Sequence, residues 1–186
     1  MLQSLSLPPS PLQELPWSLP KTHMPAGPDD GLHVTWYDDR DGSYEIYYKY
    51  FDGTTWGPDT RVSNAPLRSM YASVETDDSG LVHIVWQDER TGDTEIYYRS
   101  YDGIAWTETM RLTHNDAYSG RPCVAVCPAA MAHVVWYNNV TGTNPEIYYR
   151  RWTGTAMAGI ADLVLPGPVP TKTGSPPTRP GMVARF

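Results

Sequence analysis

Two acidic turns each end in an arginine beside aromatic side chains: Trp36-Tyr37-Asp38-Asp39-Arg40 and Trp86-Gln87-Asp88-Glu89-Arg90. A planar guanidinium next to aromatic rings can grip a carboxylate or stack under a sugar ring. Arg40 and Arg90, with Asp38, Asp88 and Tyr37, therefore form the candidate ligand-binding group. The competing reading is structural: Asp38–Arg40 and Asp88–Arg90 pairs would stiffen each turn, and the likeness of the two copies favours it. Asp39-Arg40-Asp41-Gly42-Ser43-Tyr44-Glu45 superficially suggests a calcium loop, which needs six or more oxygen ligands. Its second copy, Glu89-Arg90-Thr91-Gly92-Asp93-Thr94-Glu95, puts Arg and Thr where ligands would be, so a hairpin turn is expected.

His33, His83 and His133 recur in register and, one per repeat, do not converge on a metal; satisfied, half-buried histidines are expected. Cys123 and Cys127 fall on one strand, where their Cα atoms would lie about 13 Å apart, beyond disulfide reach. No second pair completes a metal site, so they read as structural thiols. No metal, cofactor or catalytic residue is assigned.

The elements that position these residues are repeats. Leu32-His33-Val34-Thr35-Trp36 returns as Val82-His83-Ile84-Val85-Trp86 and as Ala132-His133-Val134-Val135-Trp136. Glu45-Ile46-Tyr47-Tyr48-Lys49 returns as Glu95-Ile96-Tyr97-Tyr98-Arg99 and, slipped by one residue, as Glu146-Ile147-Tyr148-Tyr149-Arg150. A period of about fifty residues filled with short alternating strands marks a repeat architecture. In the second unit residues 72–76 alternate and end at the turn cluster Asp77-Asp78-Ser79-Gly80, and residues 81–87 form the next strand. A strand over 95–101 follows, then the tight turn Asp102-Gly103 and a fourth strand from Trp106 to Leu112. Val82, Ile84 and Trp86 share one strand face and His83, Val85 and Gln87 the other; both are fairly apolar, as in a sheet packed between two neighbours.

Four short antiparallel strands per repeat match a propeller blade. We therefore expect an all-β fold, a partial β-propeller of about three four-stranded antiparallel blades. A β-sandwich also uses regular strands, but its strands face different environments and would not repeat so closely. The first unit shows strands two to four, the second is whole, and the third is read only as far as Trp152. Too few blades to close a ring imply missing blades or self-association.

Composition sets the borders. All 13 tyrosines lie between Tyr37 and Tyr149, whereas most of the 18 prolines lie near the ends. Residues 1–30 and 161–186 are thus expected to be Pro-rich and disordered, with the blades at 31–160. The net charge of −7 and the lack of a basic stripe argue against nucleic acid. No apolar stretch is long enough to span a bilayer, and the N-terminus as written lacks the charged and apolar regions of a secretory signal.

Asp52-Gly53-Thr54-Thr55-Trp56 and Asp102-Gly103-Ile104-Ala105-Trp106 sit on the turn between the third and fourth strands. Across about residues 31–157 the chain resembles bacterial Asp-box (BNR-repeat) propellers of the sialidase-like superfamily, whose box reads Ser-x-Asp-x-Gly-x-Thr-Trp on that turn. Both copies are one residue shorter between Asp and Trp, and only Ser100 fits the leading position. The third copy, Thr153-Gly154-Thr155-Ala156-Met157, has lost both Asp and Trp. Asp52, Gly53, Trp56, Asp102, Gly103 and Trp106 are expected to be structural: Asp accepts turn N–H groups, Gly supplies positive φ and Trp covers the next strand.

The resemblance implies that the boxes lie on the face away from the active site, which leaves Arg40 and Arg90 on the ligand side. It also implies a Tyr nucleophile raised by Glu, an Asp acid/base and three arginines on the substrate carboxylate. Glu45–Tyr47 and its copies mimic the first pair, but they occur three times, which indicates strand packing. The family's Arg-Ile-Pro motif is absent. The expected function is a non-catalytic binding or structural module that recognises glycan or protein surfaces. The alternatives are an exo-sialidase-like glycoside hydrolase, in fragment or remnant form, and an assembly-only module. An extracellular or envelope setting is implied by resemblance only.

Overall fold

A computed structural model describes residues 26–28, 30–127, 131–139, 146–152 and 161–162. Of the segments expected to be disordered, 1–30 and 161–186, positions 1–25, 29 and 163–186 lie outside these residues, as do positions 140–142 and the third box turn, 153–157.

The described residues form three antiparallel sheets and no helix. In the first, β1 (Leu32–Asp38), β2 (Glu45–Phe51) and β3 (Thr60–Arg61) lie in chain order, and Ala26 adds an isolated bridge to Leu32. The second sheet is β4 (Ser69–Thr76), β5 (Val82–Thr91), β6 (Asp93–Tyr101) and β7 (Met110–Arg111). The third is β8 (Ser119–Cys127), β9 (Met131–Asn138), β10 (Glu146–Arg151) and β11 (Ala161–Asp162). These are partial-propeller blades, and the sheets do not close into a ring. The repeat pattern of the third blade is legible only to Trp152, yet Ala161 and Asp162 pair with Tyr149 and Tyr148 as a fourth strand. A two-residue strand is too short to carry an alternation, and it begins just past the border expected at residue 160.

The strand alternation builds the core between blades. Val82, Ile84, Trp86 and Tyr97 pack against Ile46, Tyr48 and Val62 of the first blade. Val85, Ile96, Tyr98 and Leu112, on the opposite face of the second blade, pack against Val124, Val134 and Trp136 of the third. Every second residue of β5 thus serves one interface and its neighbours the other, because successive side chains of a strand point to opposite faces. Beyond the third blade, the same face carries Ile147, 41% exposed, and the exposed Ala125 and Cys123.

The repeated polar residues lock each blade. His33 Nδ1 meets Tyr48 Oη at 2.8 Å, His83 meets Tyr98 at 2.9 Å and His133 meets Tyr149 at 2.7 Å. Glu45 and Glu95 are fully buried, paired with Arg61 at 2.7 Å and Arg111 at 2.5 Å. Buried charge persists only when so partnered. Cys123 and Cys127 are both free thiols on β8.

Two bulges interrupt the inner strands, between Met70 and Ser73 on β4 and between Gly120 and Cys123 on β8. They hold Tyr71 at φ 55° and Arg121 at φ 50°, a region that costs side-chain-bearing residues energy.

Candidate functional site

The turns joining β1 to β2 and β5 to β6 emerge at one end of the blades. The box turns and the β4–β5 turn emerge at the other, as antiparallel connectivity requires. At the first end Asp38 accepts from Arg40 N at 2.8 Å and Nη2 at 2.7 Å. Arg40 Nη1 donates to Asp59 at 2.7 Å, and its guanidinium lies 4.6 Å from the Tyr47 ring. The Arg40 hydrogen bond holds the Asp38 carboxyl below the ordinary aspartate value.

Asp88 is completely buried and accepts from Arg90 Nε at 2.9 Å, Arg90 Nη2 at 2.6 Å, Trp86 Nε1 at 3.0 Å and Ser69 Oγ at 2.9 Å. Burial works to raise its pKa, but the bonds from Arg90 and Trp86 outweigh it and hold the carboxyl low. Arg90 stacks 4.5 Å over Tyr97. The counterpart of Asp59 in this blade is Thr109, and Arg90 Nη1 has no hydrogen-bond partner among the described residues. The two arginines expected to act alike are therefore not equivalent. Arg40 is held by two carboxylates and is 39% exposed, while Arg90 is held by one and is 22% exposed. In the third blade Asn138 keeps the bond to Ser119 at 2.9 Å, but Trp136 Nε1 lacks an acceptor among the described residues.

Tyr37 lies apart from both arginine pairs, in edge contact with Tyr44 at 5.4 Å and beside Tyr71 at 5.7 Å. Arg121 is a residue that the sequence motifs miss. The bulge aims its guanidinium over Tyr71 at 5.3 Å, and its backbone N–H donates to Gln87 Oε1 at 3.0 Å. Arg121 and Tyr71 stand fifty positions apart, at the same place in successive repeats, and that difference in type is the signal that could have found it.

At the other end Asp52 Oδ1 accepts from Thr54 N at 2.8 Å and Thr55 N at 2.6 Å, and Asp102 Oδ1 from Ile104 N at 2.9 Å and Ala105 N at 2.8 Å. These N–H donors keep both carboxyls below the ordinary value. Gly53 and Gly103 sit at φ 88° and 89°. Trp56 packs on Phe51 at 5.0 Å, and Trp106 stacks on Tyr101 at 4.8 Å.

Between the first two blades, at this same end, lies a cleft of about 530 Å³. Its walls include Tyr50 and Pro58 from the first blade and Tyr101 and Trp106 from the second, with Thr60 and Ser79 supplying hydroxyls. His33 and Tyr48 also line it, and Tyr48 meets Trp106 edge-on at 5.4 Å. The size is that of a small-molecule site. Motif spacing points to ligand chemistry only at the opposite end, because the cleft arises from residues far apart along the chain.

Among the described residues no group of three or more His, Cys, Asp or Glu side chains is arranged to hold a metal ion. No helix among them is long and apolar enough to cross a membrane.

No protein-family model and no curated protein matches the sequence. Solved structures do resemble the fold. A Hadza microbial sialidase matches with a TM-score of 0.58 at 11% identity, over 73% of this chain and 36% of that one. A fucose lectin from Kordia zhangzhouensis, in complex with methyl-fucoside, matches with a TM-score of 0.50 at 16% identity, over 76% of this chain and 97% of the lectin chain. A polysaccharide lyase, an ulvan lyase with bound saccharide, matches at 0.55 and 10% identity, over 74% of this chain and 42% of that one. At these identities the likeness is one of fold, and this chain spans about a third of the sialidase and under half of the lyase.

Proposed function

We propose that the chain is a non-catalytic glycan-binding module built from sialidase-like blades of the Asp-box type. The aromatic-walled cleft between the first two blades carries this reading. Sugar rings present C–H faces that pack on aromatic rings and hydroxyls that need a few placed polar partners, and the cleft offers both. The lectin, the sialidase and the lyase, whose names or bound molecules concern saccharides, support it by fold. The arginine turns at the other end, with Asp38, Arg40, Asp88, Arg90 and Tyr37, form a secondary contact surface in which Arg40 is the more exposed cation, 39% against 22% for Arg90.

Titration of the full chain with a panel of methyl glycosides, methyl-fucoside included, tests the proposal. Saturable binding that weakens in Trp106→Ala is the expected result. Silence across the panel at roughly millimolar sugar, with the chain folded, would count against it. Fluorophore release from a sialoside, abolished by Arg90→Ala, would overturn the non-catalytic part.

A second reading, self-association, is favoured by the third blade, whose outward face presents Ile147 and the free thiol Cys123. In the second blade the corresponding face is covered by the third.

A further inference from the structure

The cleft lies where the first blade departs from the repeat. Where the first blade has Gly31 and Tyr50, the second has Leu81 and Ser100, a reciprocal exchange of small and large. A Cβ on Gly31 would stand 2.5 Å from the Tyr50 ring, so the ring lies against bare backbone. It also leans on His33, ring centres 4.9 Å apart. Gly57 and Pro58 likewise replace Thr107 and Glu108. The backbone is the same in both blades: Gly57 N donates to Tyr50 O at 2.8 Å, and Thr107 N to Ser100 O at 2.9 Å. Only the side chains differ. In the second blade Thr107 Oγ1 accepts from Ser100 N at 2.9 Å, whereas glycine at position 57 leaves that space to the cleft.

The lining also sets what can enter. Among the described residues no Asp, Glu, Lys or Arg lines the cleft. Arg99, 5.5 Å from the Trp106 ring, is committed to the carbonyl oxygens of Thr107 at 2.6 Å and Val62 at 2.9 Å. A sugar carboxylate or sulfate taken into these walls would lose water and gain no Lys or Arg partner from the lining, which is costly. A neutral sugar loses only hydroxyl hydration and regains partners. Thr60 offers a hydroxyl, and Ser79, which donates to Asp77 at 2.6 Å, keeps its oxygen as an acceptor. Tyr101 and Trp106, stacked at 25°, both line the cleft and supply aromatic surface.

We infer that this cleft selects neutral saccharides over acidic ones, and that Tyr50, seated in the space left by Gly31, is its specificity-determining residue. The inference rests on the glycan-binding reading and names the ligand class for that site.

The test uses the full chain and two probe sets, methyl glycosides of neutral hexoses and deoxyhexoses, and methyl glycosides of sialic and uronic acids. Binding is followed by tryptophan fluorescence and ligand-observed NMR. The double variant Gly31→Leu/Tyr50→Ser installs the second blade's own pair, and Tyr50→Ser alone serves if the double variant does not fold. Neutral glycosides should bind the natural chain, and their affinity should drop at least about ten-fold in either variant. It should stay unchanged in Leu67→Ala, an exposed site outside the cleft. Neutral binding that survives both variants would overturn the inference. Binding of acidic glycosides only would overturn it too, yet leave the glycan-binding reading standing. No binding by either set would remove both.

Discussion

Asp88 and Asp38 occupy equal places in sequence and unequal places in energy. Asp88 is buried under five donors, three of them from Arg90, so Asp88→Asn strands the Arg90 charge. A loss of about 2–3 kcal/mol is expected in chemical or thermal melts, reduced from a fully buried pair because Arg90 is partly exposed. Asp38→Asn should cost under about 1 kcal/mol, since Arg40 is 39% exposed and retains Asp59. Equal losses would contradict the difference in burial. His83, fully buried, has its pKa pulled below 6.5 by burial, although Asp77 at 3.8 Å acts the other way. The unfolded chain therefore binds this proton first. The stabilisation is complete above pH 6.5 and is lost as pH falls through the folded value. Asp77 and Asp88, both held below 3.8, add a second acid loss at lower pH. A stability profile should show both steps, and His83→Gln should remove the upper one; a natural chain without it would refute the assignment.

Among the elements, turns and bulges carry what strand patterns do not. Gly103 lies at φ 89°, and no heavy atom stands within 4 Å of where a Cβ would point, so Gly103→Ala should cost about 1 kcal/mol from backbone conformation alone. Gly31→Ala acts by a different cause, since its φ is not positive and the new carbon meets the Tyr50 ring, which must shift. Thermal melts of the two variants separate these causes. The strands themselves were legible: Val82-His83-Ile84-Val85-Trp86 alternates, and both of its faces are buried. The fourth strand of the third blade was not, since two residues carry no period. Nor were the bulges at Tyr71 and Arg121, because neither residue favours positive φ and only pairing with β5 and β9 imposes it.

Across the whole molecule, stability comes from blade-on-blade packing. Ile84 is fully buried between the first and second blades, and Ile84→Ala should destabilise by about 3 kcal/mol through lost burial and a residual cavity. The outward face of the third blade leaves Ile147 exposed. If a second copy packs there, Ile147→Lys should reduce concentration-dependent association measured by sedimentation. An unchanged mass distribution would set that second reading aside.

The sequence by itself determined the repeat, the strand alternation, the box turns and the partial propeller, because all of these are local periodicities that one chain segment can express. It also located both arginine turns, since acid, arginine and aromatic residues are adjacent there. Only the tertiary structure decided which arginine gains a second carboxylate, because Asp59 reaches Arg40 from nineteen residues away. The cleft, too, depends on tertiary structure, for its walls come from two blades brought face to face. The exchange of Gly31 and Tyr50 for Leu81 and Ser100 was visible in the sequence, but its meaning was not. Strand pairing places Tyr50 opposite His33, and packing places that face against Tyr101 and Trp106 of the next blade.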